Sequence, residues 1–213
     1  MPGTRRTVIL TSYMDFPMDL NSEYNQDDLL ICTDGGYDIA LEYGLKPAIL
    51  MGDFDSINTQ LPDDIPIIRF NPVKDYTDLQ LALDKAIEIG SQDVEVWGGL
   101  GGRFDQTIAN VQLLMKYTDK FNSLSIRDGA NKAFILPCNP GYTHVIPAVD
   151  NWYLSIFAMS EICKNVSIHG TKYELDGYTL KRSFPLGVSN EFQSENATIS
   201  YDSGIMLVIL SKM

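Results

Sequence analysis

The sequence predicts an α/β chain with an all-β second part: an N-terminal Rossmann-like, mostly parallel sheet with helices on both faces, followed by a small C-terminal β-sandwich or barrel. Three observations predict it. Over the first 128 residues, short apolar β-rich runs alternate with helical periods, the pattern of parallel strands joined by crossover helices. After about Asp128 the helical period disappears, Gly and Pro recur at 129, 137, 140, 141, 147, 170, 177, 185, 187 and 204, and short strands take over. No internal repeat, low-complexity tract or Pro/Ser-rich linker separates the halves. The expected division is therefore an α/β part at 1–128 joined tightly to a β-rich part at 129–213.

Each element has its own warrant. Strands are expected at 7–10, 29–33, 48–51, 65–70, 94–97 and 124–126, all short apolar runs bounded by turn residues. A short helix is expected at 37–43, stopped by Gly44 and Pro47. Leu79, Leu81, Leu83, Ala86, Ile87 and Ile89 mark a longer helix ending at Gly90. A third helix follows a run of glycines. Its apolar face is expected to hold Phe104, Ile108, Val111, Leu114 and Met115, at steps of three and four, with Thr107, Asn110 and Gln112 on other faces. In the second part the strand candidates are 132–136, 152–158, 166–168, 197–201 and 206–210.

Composition limits what such a chain does. In its 213 residues, 45% hydrophobic and 21% charged side chains are ordinary globular usage, which excludes a disordered or coiled-coil chain. The formal net charge is −12, from 16 basic and 28 acidic residues, so a nucleic-acid partner is not expected. An anionic substrate would then call for a divalent cation between protein and phosphate. Cys32, Cys138 and Cys163 form no CxxC pair and are odd in number, indicating neither a zinc site nor a disulfide framework. Arg5 and Arg6 precede only a four-residue apolar run, too short for a signal peptide. The longest apolar run, 205–210, is far below the ~20 residues of a membrane helix. A cytoplasmic protein without a membrane partner is the expectation.

In open α/β sheets ligands bind beyond the carboxyl ends of the strands, and here aspartates stand there repeatedly. Asp34-Gly35-Gly36 follows the second run, and Gly52-Asp53-Phe54-Asp55-Ser56 follows the third. Asp75 and Asp78 follow the fourth, and Asp105 comes after the fifth. Carboxylates converging on one crevice cannot all ionise without a counter-ion. Mg²⁺, a hard cation that pairs one or two carboxylates with substrate phosphates, supplies one. Plainer readings stand beside this one. Asp75 and Asp78 also suit a helix N-cap and a first-turn acid, and Asp34-Gly35-Gly36 also suits a turn. Asp53 and Asp55 are harder to explain structurally, because a D-x-D beyond a buried strand gains little for folding.

Gly98-Gly99-Leu100-Gly101-Gly102-Arg103 lies between a strand and a helix, where backbone N–H groups and the helix dipole favour phosphate. It lacks a Walker lysine and breaks G-x-G-x-x-G, since Phe104 stands where the third glycine belongs, so a plain turn is the alternative. Arg103 adds a guanidinium suited to a phosphate oxygen. His144 and His169 show no ligand-like spacing and read as structural.

Together, DGG at 34–36, GDFDS at 52–56, KDYTD at 74–78, GGRFDQ at 101–106 and GVSN at 187–190 resemble the thiamin pyrophosphokinase family in order and spacing, over nearly the whole chain. The resemblance implies Mg²⁺-dependent transfer of a pyrophosphoryl group from ATP to the hydroxyethyl group of thiamin, giving thiamin diphosphate and AMP, in a homodimer with its site at the subunit interface. By motif, it implies that Asp53, Asp55 and Asp78 hold Mg²⁺ and the phosphates with Asp34 beside them. Arg103 and Asp105 complete the catalytic set. Gly35, Lys74, Thr77, Gly101 and Gly102 join Asp34 and Arg103 at the nucleotide. Tyr173, Ser189 and Asn190 match the thiamin-contacting segment. A cationic thiazolium suits aromatic faces and surplus carboxylates.

The chain departs from the family pattern at two places. Asp105-Gln106 replaces the Asp-His of many bacterial members, so Gln106 is given no proton-transfer role. The first strand runs into Leu10-Thr11-Ser12 instead of Asn-Gly. Two rival readings have distinct signatures: Asp53-Phe54-Asp55-Ser56 as a phosphatase nucleophile motif would give a phospho-aspartate, and a non-catalytic thiamin or nucleotide sensor would release no AMP.

Overall fold

The computed structural model describes residues 5–54, 59–70 and 76–213. The chain divides into two compact units at Gly129 and Ala130. The first carries β1 (Arg6–Leu10), α1 (Leu20–Glu23), β2 (Leu29–Thr33), α2 (Gly36–Glu42), β3 (Ile49–Gly52), β4 (Ile67–Arg69), α3 (Asp78–Glu88), β5 (Asp93–Trp97), α4 (Phe104–Tyr117) and β6 (Ser123–Arg127). Its strands are all parallel, in the order β6-β5-β1-β2-β3-β4. The chain builds outward from β1 through β4, then returns to lay β5 on the other side of β1. That reversal opens a crevice beyond the carboxyl ends of β1 and β5, the usual ligand position of such sheets.

Alternation along the strands supplies both faces. Val8, Leu10, Leu30, Cys32, Leu50 and Trp97 form one core with Leu20 of α1 and Tyr37 and Ala40 of α2. The intervening Ile9, Ile31, Met51, Val94 and Val96 are buried as well, and α3 touches β1, β2 and β3 while α4 touches β6. On α3 the buried side chains are Leu79, Ala82, Leu83 and Ala86. Helix α4 differs from the expected apolar face. Phe104 and Ile108 are 75% and 46% exposed, whereas Asn110, Leu113, Leu114 and Tyr117 are buried. Asn110 is drawn inward because its Nδ2 donates to the Gly99 carbonyl at 2.7 Å, which rotates the polar position toward the glycine loop.

The segment between β1 and β2 is held by charge. Arg6 donates from Nη2 to Asp28 Oδ2 at 2.6 Å, from Nη1 to Glu95 Oε2 at 3.0 Å, and to the Glu23 carbonyl at 2.7 Å. The Trp97 indole also donates to Glu95 Oε2, at 2.9 Å, and Arg127 grips Glu23 through two bonds of 3.0 and 3.1 Å. Asp28 and Glu95 are each only 6% exposed, so both depend on Arg6 to offset their lost hydration.

The second unit contains β7 (Asn131–Leu136), β8 (His144–Pro147), β9 (Trp152–Ala158), β10 (Ile162–His169), β11 (Leu175–Lys181), β12 (Asn190–Glu191), β13 (Asn196–Ser200) and β14 (Met206–Lys212). Two antiparallel sheets, β12-β9-β14-β7 and β11-β10-β13-β8, share one core. Leu154, Ile156, Met206 and Val208 of the first meet Val166, Ile168, Leu180, Ala197 and Ile199 of the second. The two-residue spacing along each strand is that of a sandwich. All three cysteines are free. Among the described residues, no helix is long and apolar enough to cross a membrane.

Removing Arg6 takes the nearest guanidinium from two buried carboxylates, Asp28 and Glu95. Arg6→Ala is expected to lower unfolding stability by about 3 kcal/mol, read as a reduced urea midpoint at unchanged slope. A change below about 0.5 kcal/mol would show the network to be a surface feature.

Candidate active site

The site grows from the ends of the parallel strands. Asp34 follows β2 in the left-handed region, at φ 43°. Its N–H donates to the Met51 carbonyl at 3.0 Å, and its Oδ1 accepts the Phe54 N–H at 3.3 Å. Gly52 makes this approach possible: a Cβ there would stand 1.9 Å from Asp34 Oδ1. The half-buried Asp34 carboxyl is pushed up to about 6, first by burial and then by the negative charge of Asp78, with Asp53 adding to it. Phe54, at φ 60°, tucks its ring under the Arg69 guanidinium, 5.3 Å from the centroid.

Asp78 is placed by the start of α3. Thr77 is the N-cap, its Oγ1 accepting the Gln80 N–H at 3.2 Å, and Asp78 is the first-turn acid. The helix end therefore sets the Asp78 carboxyl beside Asp34, and one residue serves both the macrodipole and the site. On the other side of the crevice, the glycine loop after β5 is fastened at several points. The Gly98 N–H donates to the Arg127 carbonyl at 2.8 Å, the Gly99 N–H to the Tyr13 carbonyl at 2.6 Å, and Thr107 Oγ1 to the Gly101 carbonyl at 3.2 Å. Arg103 ends that loop. Its Nη2 and Nε reach Asp105 Oδ2 and Oδ1 at 2.5 and 3.2 Å, with both side chains largely in solvent. The guanidinium holds the Asp105 carboxyl below the usual carboxylate range.

A cavity of about 360 Å³ lies between these parts. Of the residues expected from sequence, Asp34, Thr77, Asp78, Gly101 and Arg103 line it. Gly35, Gly102, Asp53 and Asp105 do not line it, although Asp53 is close enough for its charge to be felt at Asp34. Asp55 and Lys74 lie outside the described residues. Thr11, Ser12, Tyr13, Gln106 and Asn110 line it without having been expected there. The strand-end rule points to 11–13, just past β1, where the chain departs from the family's Asn-Gly and no acid marks the position. Among the described residues, no group of three or more His, Cys, Asp or Glu side chains is arranged to hold a metal ion as it stands.

The second unit has its own cavity, about 310 Å³, walled by Ile156, Ile168, Leu175, Leu186 and Val188 together with Tyr173 and Asn190. Gly187 allows this wall to close: a Cβ there would come within 2.4 Å of Ile156 Cγ1, and its carbonyl accepts the Ile156 N–H at 2.8 Å. Ser189 is exposed, at φ 56°, and anchored by its N–H to Ser155 Oγ at 3.0 Å. The Tyr173 ring is 63% exposed, with Lys172 Nζ 5.6 Å from its centroid. His169 is exposed beside Glu174 and Asp176. The His144 ring meets Tyr142 edge-on. Neither histidine lines either cavity.

Comparison with known proteins agrees with this layout. Residues 20–126 match the family described as "Thiamin pyrophosphokinase, catalytic domain", and residues 143–206 match "Thiamin pyrophosphokinase, vitamin B1 binding domain". The chain is 31% identical over 198 residues to thiamine pyrophosphokinase of Bacillus subtilis, covering 91% of this chain and 92% of the relative. It is 26% identical to thiamin pyrophosphokinase 1 of Caenorhabditis elegans, covering 87% and 80%. The crystal structure of the Bacillus subtilis thiamine pyrophosphokinase superposes with a TM-score of 0.88 at 28% identity, over 98% of this chain and 99% of that one.

The crowding at Asp34 makes a pH-dependent cost. With its folded pKa raised to about 6 and an unfolded value of about 3.9, the native state binds more protons between those values. Stability contributed by this group therefore falls as pH rises through that window. In metal-free buffer, Asp34→Asn is expected to match the unsubstituted protein near pH 4 and to exceed it above about pH 6, by urea denaturation. Equal stability at high pH would contradict the crowding.

Proposed function

The chain belongs to the thiamin pyrophosphokinase family, and on that premise we propose that it transfers a pyrophosphoryl group from ATP to the hydroxyl of thiamin, giving thiamin diphosphate and AMP. The observation that carries this reading is the meeting of Asp34, Asp78 and Arg103 on one cavity at the switch point of the sheet. Such transfers ask the protein to position the groups and neutralise charge. Thiamin's hydroxyl oxygen attacks the β-phosphorus, the bond from that phosphorus to the bridging oxygen of the α-phosphate breaks, and AMP departs with the oxygen. The hydroxyl proton leaves to a carboxylate of the aspartate cluster.

Asp53, Asp55 and Asp78 would hold Mg²⁺, and the residues present suit it. The Asp34 carboxyl is raised by burial and, after that, by the negative charge of Asp78 and Asp53, and a divalent cation offsets both. When bound, Mg²⁺ supplies neutralisation of the β and γ phosphoryl oxygens. In our reading Arg103 exchanges Asp105 for a phosphate oxygen and stabilises charge growing toward AMP. Asp105 then keeps the guanidinium aimed at the loop in the empty state. Gly35, Lys74, Thr77, Gly101 and Gly102 are assigned to the nucleotide, and N–H groups at the start of α4 suit its phosphates.

Thiamin is assigned to the second unit, where the apolar cavity, the open Tyr173 face and Ser189 suit a flat cationic heteroaromatic. We read the assembly as a homodimer with its site at the subunit interface, in which exposed apolar residues such as Phe104 and Ile108 are covered. The free cysteines accord with a reducing cytoplasm, and the net charge of −12 argues against nucleic acid as a partner.

Purified protein with ATP, MgCl₂ and thiamin is expected to yield AMP and thiamin diphosphate in equal amounts, with EDTA abolishing both. Free phosphate without thiamin diphosphate would overturn the reading in favour of a phosphatase. Asp55→Asn is expected to lose at least about a hundredfold in turnover with an unchanged circular dichroism spectrum. Near-normal turnover would remove Asp55 from the metal site.

A further inference from the structure

Asn190 is buried, at 6% exposure, in a wall of the second unit's cavity. Its side chain carries two donors and an oxygen with two lone pairs, and the protein uses all four. Nδ2 donates to Thr171 Oγ1 at 3.0 Å and to the Tyr173 carbonyl at 2.7 Å. Oδ1 accepts the Tyr173 N–H at 2.9 Å and the Glu191 N–H at 3.1 Å. Nothing is left with which to hydrogen-bond a ligand. A buried amide satisfied in this way holds its partners in one geometry, and it is costly to leave half-made.

Both polar groups of Tyr173's backbone bond this one side chain, and the Tyr173 carbonyl also accepts from Thr171 Oγ1 at 3.3 Å. That matters because the Tyr173 ring is 63% exposed and has little packing of its own to fix it. The neighbouring backbone adds the Lys172 N–H to the Glu191 carbonyl at 2.9 Å, the Gln193 N–H to the Gly170 carbonyl at 2.9 Å and the Gly170 N–H to Glu174 Oε1 at 2.8 Å. The Tyr173 backbone fixes the Cα–Cβ direction from which the ring projects, and the two Asn190 bonds hold that backbone.

We propose that Asn190 is a positioning residue: it clamps the Tyr173 backbone so that the aromatic ring stands as one wall of the cavity, and it touches no polar atom of the flat cationic ligand that the wall receives. The inference rests on the thiamin reading above for the identity of that ligand, and on the hydrogen bonds alone for the clamp. It differs from the role implied by motif resemblance, in which Asn190 contacts thiamin itself. Other side chains make fewer of these bonds: aspartate keeps the acceptor for the Tyr173 and Glu191 N–H groups but loses both donors, and alanine loses all four bonds.

Two measurements on the full chain separate the possibilities. The first needs no ligand. Amide hydrogen exchange at Tyr173 and Glu191 is expected to accelerate about tenfold or more in Asn190→Ala and to stay near normal in Asn190→Asp, which also serves if the alanine variant folds poorly. Unchanged exchange at Tyr173 in the alanine variant would overturn the clamp. The second is kinetic. Asn190→Ala is expected to raise the thiamin KM about tenfold, with kcat and the ATP KM within about twofold. In a Tyr173→Leu background the same substitution is expected to add less than about twofold. A full tenfold effect in that background would mean Asn190 acts on thiamin directly, and the proposal would fail. If the unsubstituted protein makes no thiamin diphosphate, the functional reading fails instead, and the exchange data still decide the clamp.

Discussion

Mutual repulsion of carboxylates at the ends of parallel strands is the constraint on which the first unit turns. Asp34 sits half-buried, and burial first, then the nearby charges of Asp78 and Asp53, raise its carboxyl to about 6. Folding has to hold that charge together. Gly52 gives up its side chain to let Asp34 in, Thr77 caps α3 so that Asp78 points to the same place, and Asp34 accepts a left-handed backbone. The left-handed backbone at Asp34 and the missing side chain at Gly52 do not favour the empty fold. They are intelligible as preparation for a cation and a polyphosphate, which return the electrostatic cost when they bind.

The second unit solves a different problem with different means. A ligand that is both aromatic and cationic requires an apolar recess and an open π-face, and those are what Ile156, Ile168, Leu175 and Tyr173 provide. Its buried polar groups work inside the protein: Asn190 spends its hydrogen bonds on the loop that carries the ring. In the proposed reaction, the charge of the first unit would take the phosphates and the apolar wall of the second the heterocycle.

Much of this was legible in the sequence, and the limits have physical causes. Strands that are buried on both faces announce themselves as apolar runs, so β1, β2, β3 and β5 stand within a residue of their expected bounds. Strand β11 carries Asp176, Gly177 and Thr179 with one buried side chain, and an exposed edge of that kind has no pattern to read. The buried face of α4 departs from the apolar period because a polar residue, Asn110, is the one that turns inward, toward a carbonyl no sequence period reveals. For the site, the aspartates were legible because charge at a strand end is unusual. Thr11, Ser12 and Tyr13 stand at an equivalent strand end but carry uncharged side chains, and only the sheet order, with β1 next to β5, shows that they face the same cavity. The Arg6 network likewise joins residues far apart in the chain, which only the fold brings together.

The most direct test of the account is the titration of the Asp34 carboxyl carbon by NMR, in the absence and presence of Mg²⁺. The crowding described here predicts a midpoint near 6 without metal and a fall to below about 4 when the cation is bound. An ordinary midpoint in both conditions, or a raised one that Mg²⁺ leaves in place, would contradict the claim that these carboxylates are gathered to receive a metal and its phosphates.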